Sequence, residues 1–245
     1  MRADIKRVFI WMTVFYIAMA YLESAVVVYL RALYYPEGFD FPLVTMDHNV
    51  VGTEVWREVA TIIMLLAPAA LVTRSRMERF AWFCFGFGIW DIFYYVWLKV
   101  ILDWPASLAS RDLLFLVPVP WVGPVWAPCV ISMGLIAFAL VVLYGRSTNA
   151  QFRVDRSSWL LLLGGAMLMI VSFTIDPFMR SYGLEELSSA GSASGFALAN
   201  GREYIPEDYP WPWFVMGCTA SIAAVIRIHR QGQVVRSPSS MLKKT

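Results

Sequence analysis

The chain has 245 residues, of which 59% are hydrophobic, 16% are aromatic and only 16% are charged. Soluble domains carry about a quarter charged residues, so this composition excludes an ordinary soluble protein. The net charge of +2 is too small to indicate a nucleic-acid partner, and none is expected.

Apolar blocks of about 18 to 24 residues recur along the chain, and that length crosses a bilayer as a helix. We therefore predict an all-α integral membrane protein, a bundle of six transmembrane helices forming one domain over 1–230. The predicted helices cover 8–33, 52–73, 80–102, 121–144, 157–175 and 211–228. Residues 231–245 are predicted to form a basic cytoplasmic tail without fixed structure.

The first predicted helix begins like a secretory signal peptide, with a basic start and an apolar run. The apolar run continues to about Leu33, which is too long for a signal peptide, so we expect a retained helix. It contains Glu23, and the next basic residue is Arg31, eight positions on. Ionisable residues inside spans are costly and mark functional sites by default.

The second predicted helix is apolar only over 59–72, and 14 residues cannot span a bilayer alone. The span must therefore include Glu54, Arg57 and Glu58, which occupy one helical face at i, i+3 and i+4. This face is expected to look into the bundle or toward the lipid headgroups.

The third predicted helix carries Asp91 in an aromatic run, FGFGIWDIFYYVWLKV, with Lys99 eight residues later. The spacing repeats that of Glu23 and Arg31, so the two acids are expected at similar depth. Tyr95 lies between Asp91 and Lys99 at helical spacing, and Trp90 is adjacent.

The segment before the fourth helix, VPVPWVGPVWAPC (117–129), contains four prolines within eleven residues. Because proline removes a backbone donor, this segment cannot be regular helix throughout. Two interpretations remain open, an interfacial loop or a re-entrant segment bordering a site. The later loop 181–210 is rich in small residues and ends in YPWPW, which is typical of an interfacial anchor.

Lysine and arginine are unevenly distributed: 14 of the 20 fall at the chain ends and in the connections between helices 2 and 3 and helices 4 and 5. Cytoplasmic connections hold basic residues in excess, so both termini are predicted to be cytoplasmic. Short loops with this bias favour a bacterial-type plasma (inner) membrane.

The acids and bases within the spans form one predicted site that opens to the outer leaflet. Its candidate catalytic residues are the buried acids Glu23, Glu58 and Asp91. Its candidate substrate-binding residues are Arg31, Glu54, Arg57, Trp90, Tyr95 and Lys99. No metal is assigned because motifs such as HExxH are absent, and no cofactor is predicted. The three cysteines have no partner at close spacing and are expected to pack as small apolar residues.

Three functions fit these observations. The first is binding or proton-coupled transport of a small molecule or ion, which predicts that the buried acids share one cavity. The second is a membrane-embedded enzyme that acts on a lipid or isoprenoid by general-acid chemistry. The third is a non-catalytic subunit of a larger membrane complex, or a homo-oligomer, whose acids are sealed in ion pairs among lipid-facing helices.

Overall fold

A computed structural model describes residues 3–44, 46–117, 119–149, 151–181, 206 and 208–234. Within these residues the architecture is six helices and one two-stranded antiparallel hairpin. The elements are α1 (Ala3–Tyr34), α2 (His48–Val72), α3 (Arg76–Leu102), β1 (Arg111–Phe115), β2 (Trp121–Pro124), α4 (Trp126–Thr148), α5 (Arg156–Ser181) and α6 (Trp211–Val234).

All six helices are long and apolar enough to span a membrane, which confirms the predicted number of spans. Their ends differ from the predicted ends by zero to six residues, and the largest extensions, six residues each, are at the C-terminal ends of α5 and α6. Residues 235–245 of the predicted tail lie outside the described residues, as do 182–205 of the predicted small-residue loop.

The fourth helix begins five residues later than predicted, at Trp126 rather than at 121, because the Pro-rich segment contributes a strand. We predicted no strands, and this was wrong. Strand β2 pairs with β1 in the register Arg111↔Pro124, Asp112↔Gly123, Leu113↔Val122 and Phe115↔Trp121, with an irregularity between Leu113 and Phe115. Pro124, which cannot donate a ladder hydrogen bond, closes the strand at its end.

Helix α3 is the central helix, since it contacts α1, α2 and α4. Two glycines permit this close packing. A methyl group on Gly86 would fall 2.2 Å from the Tyr16 ring of α1, and one on Gly88 would fall 2.6 Å from the Ser132 carbonyl oxygen of α4. Small residues let membrane helices approach in this way.

Helices α5 and α6 pair through a second glycine contact, in which a methyl group on Gly165 would lie 2.8 Å from the Gly217 carbonyl oxygen. This pair joins the bundle through α4 and β2. Trp126 at the start of α4 stacks on Trp211 at the start of α6, with ring centroids 4.8 Å apart and planes 2° from parallel. The hairpin is thereby fixed beside the ends of α1, α3 and α5.

Candidate functional site

A cavity of about 190 Å³ lies beneath the hairpin, between α1, α2, α3 and α4. All the predicted site residues except Lys99 line it: Glu23, Arg31, Glu54, Arg57, Glu58, Trp90, Asp91 and Tyr95. Glu23 and Arg31 of α1, Asp91 of α3 and the polar face of α2 therefore converge on one cavity. The chemical roles assigned to these residues stay predictions.

The α1–α2 side of the cavity is built around Arg57. Its guanidinium pairs with the Glu23 carboxylate and donates from Nε to Glu54 Oε2 at 2.7 Å. Thr61 Oγ1 donates to the second Glu23 oxygen at 3.1 Å. The i, i+3 spacing of Glu54 and Arg57 allows one arginine to serve acids from two helices.

Glu58 fastens the hairpin to α2. Its Oε1 accepts the backbone N–H of Leu116 at 2.8 Å, and both residues are buried. Leu116 follows the last residue of β1, so its N–H lies beyond the strand pairing. A buried carboxylate that meets such a group satisfies both partners.

Asp91 contacts a hydroxyl rather than a cation in the part of the chain that the structure describes. Ser132 Oγ of α4 donates to Asp91 Oδ2 at 2.7 Å, and Asp91 is 6% exposed. Gly88, one turn earlier on α3, lets the Ser132 backbone approach closely enough for this bond. The surroundings are aromatic: Trp90 stacks on Tyr94 at 6.4 Å and meets Phe87 edge-on at 5.4 Å.

Arg31 and Asp112 form the buried ion pair on the hairpin side, with Nη2 and Oδ1 3.3 Å apart. Tyr95 donates its hydroxyl proton to the other Asp112 oxygen at 3.2 Å. The Arg31 guanidinium lies 3.8 Å from the centroid of the Trp104 ring and 4.4 Å from that of Phe39. Burial raises the pKa of Asp112 to about 6, although Arg31 and Tyr95 act in the opposite direction.

Asp112 is the site residue that the sequence analysis missed. It lies outside every predicted span, in a connection where acids are ordinary. Its sequence context, DLLFLVP, does carry a signal, because an acid next to a short apolar run is unusual in a solvated loop. This context indicates a buried acid only after the apolar residues that follow Asp112 have been recognised as a strand.

Lys99 does not line the cavity. Its side chain is half exposed and pairs with the exposed Asp103 at 2.7 Å, and it also donates to the backbone carbonyl oxygens of Asp103 and Pro105. Eight residues of an α-helix turn through about 800°, so Lys99 lies about 80° around the helix from Asp91. Among the described residues, the basic side chains that line the cavity are therefore Arg31 and Arg57.

Among the residues that the structure describes, the charges that line the cavity do not balance. Five carboxylates (Glu23, Glu54, Glu58, Asp91 and Asp112) line it with two guanidiniums (Arg31 and Arg57), a formal excess of three negative charges. Within the described residues, the acids do not form a group of three or more that could hold a metal ion. The cavity can thus receive protons or a cationic ligand at separate positions.

A second cavity, of about 720 Å³, opens at the other end of the same four helices. It is lined by Val8 and Phe9 of α1, Thr73 beyond α2, Glu78 of α3 and residues 140–147 of α4. Along α1 about 20 Å separates the two cavities. Buried side chains of one packed cluster fill the intervening layer, among them Met12, Tyr16, Leu65, Phe85 and Phe138.

Tyr16 is the largest fully buried side chain in that layer. Its ring lies against the Gly86 backbone, and its hydroxyl donates to the Leu65 carbonyl oxygen at 3.2 Å. It thereby joins α1, α2 and α3 at the level where the cavities are closed from each other.

Comparisons with protein-family models, curated proteins and solved structures found no match to this chain.

Proposed function

We propose that this chain binds a small molecule in the cavity beneath the hairpin and transports it across the membrane, with proton exchange at the cavity acids. The observation that carries the proposal is that Glu23, Glu58 and Asp91 share one cavity in which carboxylates outnumber guanidiniums. A purely structural role for buried acids favours ion pairs without a void, because an unbalanced buried charge is costly.

Transport is favoured over the other functions by the pair of cavities at opposite ends of α1–α4. Alternating access requires a central site that is closed toward one side by a packed layer. The layer around Tyr16 fits that role in a state open toward the hairpin end. A shift of α1 against α3 at the Gly86 contact would open the other side.

In the proposed orientation the hairpin end faces outward and both termini are cytoplasmic, in a bacterial-type plasma membrane. The support is the concentration of 14 of the 20 basic residues at the opposite end and in the terminal segments. The Pro-rich segment then borders the site from the outer leaflet, since Trp121 and Pro128 line the cavity.

A membrane-embedded enzyme is the second candidate. It is favoured by one observation, that Asp91 lies among aromatic rings with a hydroxyl partner and could donate a proton to a bound substrate. Mass spectrometry of a compound recovered after incubation with the reconstituted protein separates the two functions. Transport leaves the compound unchanged, whereas the enzyme alters it.

Thiol accessibility tests the transport proposal without knowledge of the ligand. Val27 lines the upper cavity and Val8 lines the lower one, so Val27→Cys and Val8→Cys are made separately in a chain whose three native cysteines are replaced by alanine. In oriented vesicles, a small neutral membrane-impermeant reagent is expected to modify Val27→Cys from the outside and Val8→Cys from the inside.

The matched comparison adds Tyr16→Ala to each of the two cysteine variants. This substitution removes the ring that fills the packed layer between the two cavities. Each cysteine should then also react from the opposite side. If Val27→Cys resists modification from both sides in both backgrounds, the cavity is not reachable and the proposed function is wrong.

A further inference from the structure

We propose that the ligand of this cavity is a small bipolar ammonium compound, with a positively charged nitrogen and an oxygen acceptor a few bonds away. The inference rests on the proposed function, because it names the class of molecule that the same cavity takes. Two sets of unmet interactions in the cavity wall carry it, one for each half of the ligand.

The first set calls for a cation. Asp91 has a hydroxyl donor and no basic side chain in contact among the described residues, and the cavity carries excess carboxylates. The rings of Phe87, Trp90 and Tyr94 contact one another and line the same cavity as Asp91. Aromatic faces beside a carboxylate are the arrangement that binds substituted ammonium groups.

An organic cation fits better than a bare divalent ion. The acids along the wall are dispersed, with Glu23 and Glu54 held by Arg57 and Asp112 held by Arg31. Divalent ions need six or more oxygen ligands converging on one point. A ring-lined wall whose Asp91 carboxylate is bonded to a hydroxyl instead of a base suits a nitrogen that carries carbon substituents.

The second set calls for an acceptor. Within the described part of the chain, Arg31 Nη1 and Trp90 Nε1 are buried donors without a hydrogen-bond partner, and both residues line the cavity. The Arg31 side chain is 9% exposed and Trp90 is 4% exposed. Leaving such a donor unsatisfied costs about 1–3 kcal/mol, more for a charged group, so a ligand hydroxyl or carboxylate is well placed to accept from them.

The dimensions limit the ligand to a small compound. Asp91 and Tyr95 are one helical turn apart, about 6 Å along the axis, and Tyr95 bonds the Asp112 that holds Arg31. Asp91 and Arg31 also line the same cavity, so one short compound can contact both. A cavity of about 190 Å³ is also below the range of about 300–1,000 Å³ for drug-sized ligands.

Binding of four matched probes to the purified full chain in detergent tests the inference. Choline carries both halves, tetramethylammonium only the cation, 3,3-dimethylbutan-1-ol is the uncharged analogue of choline, and glycine betaine carries a carboxylate in place of the hydroxyl. Tryptophan fluorescence and calorimetry measure affinity. Choline or betaine should bind at least tenfold more tightly than the uncharged alcohol and severalfold more tightly than tetramethylammonium.

Three variants test which residues bind the cationic half of the ligand and which bind its oxygen acceptor. Asp91→Asn should reduce choline affinity at least tenfold, and Trp90→Phe should reduce the preference for choline over tetramethylammonium. Lys99→Gln, outside the cavity, should change neither. Equal binding of choline and the uncharged alcohol, or no loss in Asp91→Asn, would overturn the inference.

The failure of the ligand class is distinguishable from failure of the proposed function. If all four probes fail to bind while Val27→Cys still reacts with the neutral thiol reagent, the cavity is reachable and the ligand class is wrong. The same cysteine gives a direct control on charge. The ratio of its reaction rates with a trimethylammonium thiosulfonate and a sulfonate-bearing thiosulfonate of similar size should exceed the ratio for a free thiol in solution at least threefold. A ratio below that of the free thiol would count against a cationic ligand.

Discussion

Replacing Asp112 by asparagine should stabilise the protein at neutral pH, although Asp112 is one partner of a buried ion pair. Its pKa is raised from the ordinary value of 3.8 to about 6 because burial outweighs the help of Arg31 and Tyr95. An acid whose pKa is raised on folding binds protons more tightly in the folded state. Its contribution to stability is therefore fully present below about pH 4 and is lost as the pH rises through 6.

The size of the effect follows from the pKa difference. One pKa unit corresponds to about 1.4 kcal/mol, so ionisation of Asp112 in the folded protein lowers the free energy of unfolding by up to about 3 kcal/mol above pH 6. Asp112→Asn removes this loss while keeping an oxygen that can accept from Tyr95. Desolvation can exceed the Coulombic gain in a buried ion pair, although removing one partner leaves the other charge uncompensated. At about pH 4 the protonated Asp112 already leaves Arg31 in that position, so this cost is common to both chains there and cancels in the comparison.

The assay is equilibrium unfolding in mixed micelles, followed by tryptophan fluorescence from about pH 4 to 7.5. The variant is compared with the natural chain at each pH, so that the titration of every other group cancels. The two should coincide at about pH 4, and Asp112→Asn should be more stable at about pH 7.5.

Asp103→Asn is the matched control, because Asp103 lies in the same connection but is exposed, and it should change little across the range. The reasoning is refuted if Asp112→Asn is less stable than the natural chain and the deficit grows with pH. In that case the pairing with Arg31 would outweigh burial.

Two further predictions concern helix packing. Gly86→Ala should lower the free energy of unfolding by about 1–3 kcal/mol, because the new methyl group overlaps the buried Tyr16 ring. Tyr16→Leu in the same chain should restore part of the loss. Additive effects of the two changes in a double-mutant cycle would refute the contact. Gly165→Val should weaken the α5–α6 pair, whereas Gly164→Val, which meets open space, should be tolerated. Thermal unfolding of the two variants in detergent measures the difference, and equal midpoints would contradict it.

The sequence predicted the number of spans because hydropathy over about 20 residues is a strong and local signal. The convergence of Glu23, Arg57 and Asp91 was also predictable, since equal offsets along parallel helices place residues at equal depth. Lys99 was assigned to the same stripe as Asp91 by treating eight residues as a whole number of turns. The helix instead turns about 80° past that point, which takes Lys99 out of the cavity.

The hairpin and Asp112 could not be predicted in the same way. Strand pairing between 111–115 and 121–124 depends on contacts across a turn rather than on a period within one segment. The prolines indicated that 117–129 is not regular helix throughout, but the predicted fourth helix still began at 121, where the structure has strand β2. The hydrogen bond from Ser132 to Asp91 could not be predicted either, because it depends on the close approach of α4 to α3 at Gly88.

The pairing of Arg57 with Glu23 also bears on how the chain is inserted into the bilayer. Both residues lie on the first two helices, so their charges can neutralise each other as soon as α1 and α2 form a helical hairpin, before the rest of the protein is synthesised. Asp91 has no such early partner, because Ser132 is on α4. We therefore expect Asp91→Leu to increase the membrane insertion of chains truncated after α3, as measured by glycosylation mapping. Glu23→Leu should decrease that of chains truncated after α2, because Arg57 then keeps only Glu54 of its two carboxylate partners. Biogenesis would then proceed in two steps. Helices α1 and α2 insert first as a charge-compensated pair, and α3 becomes stable in the membrane only after α4 has been synthesised.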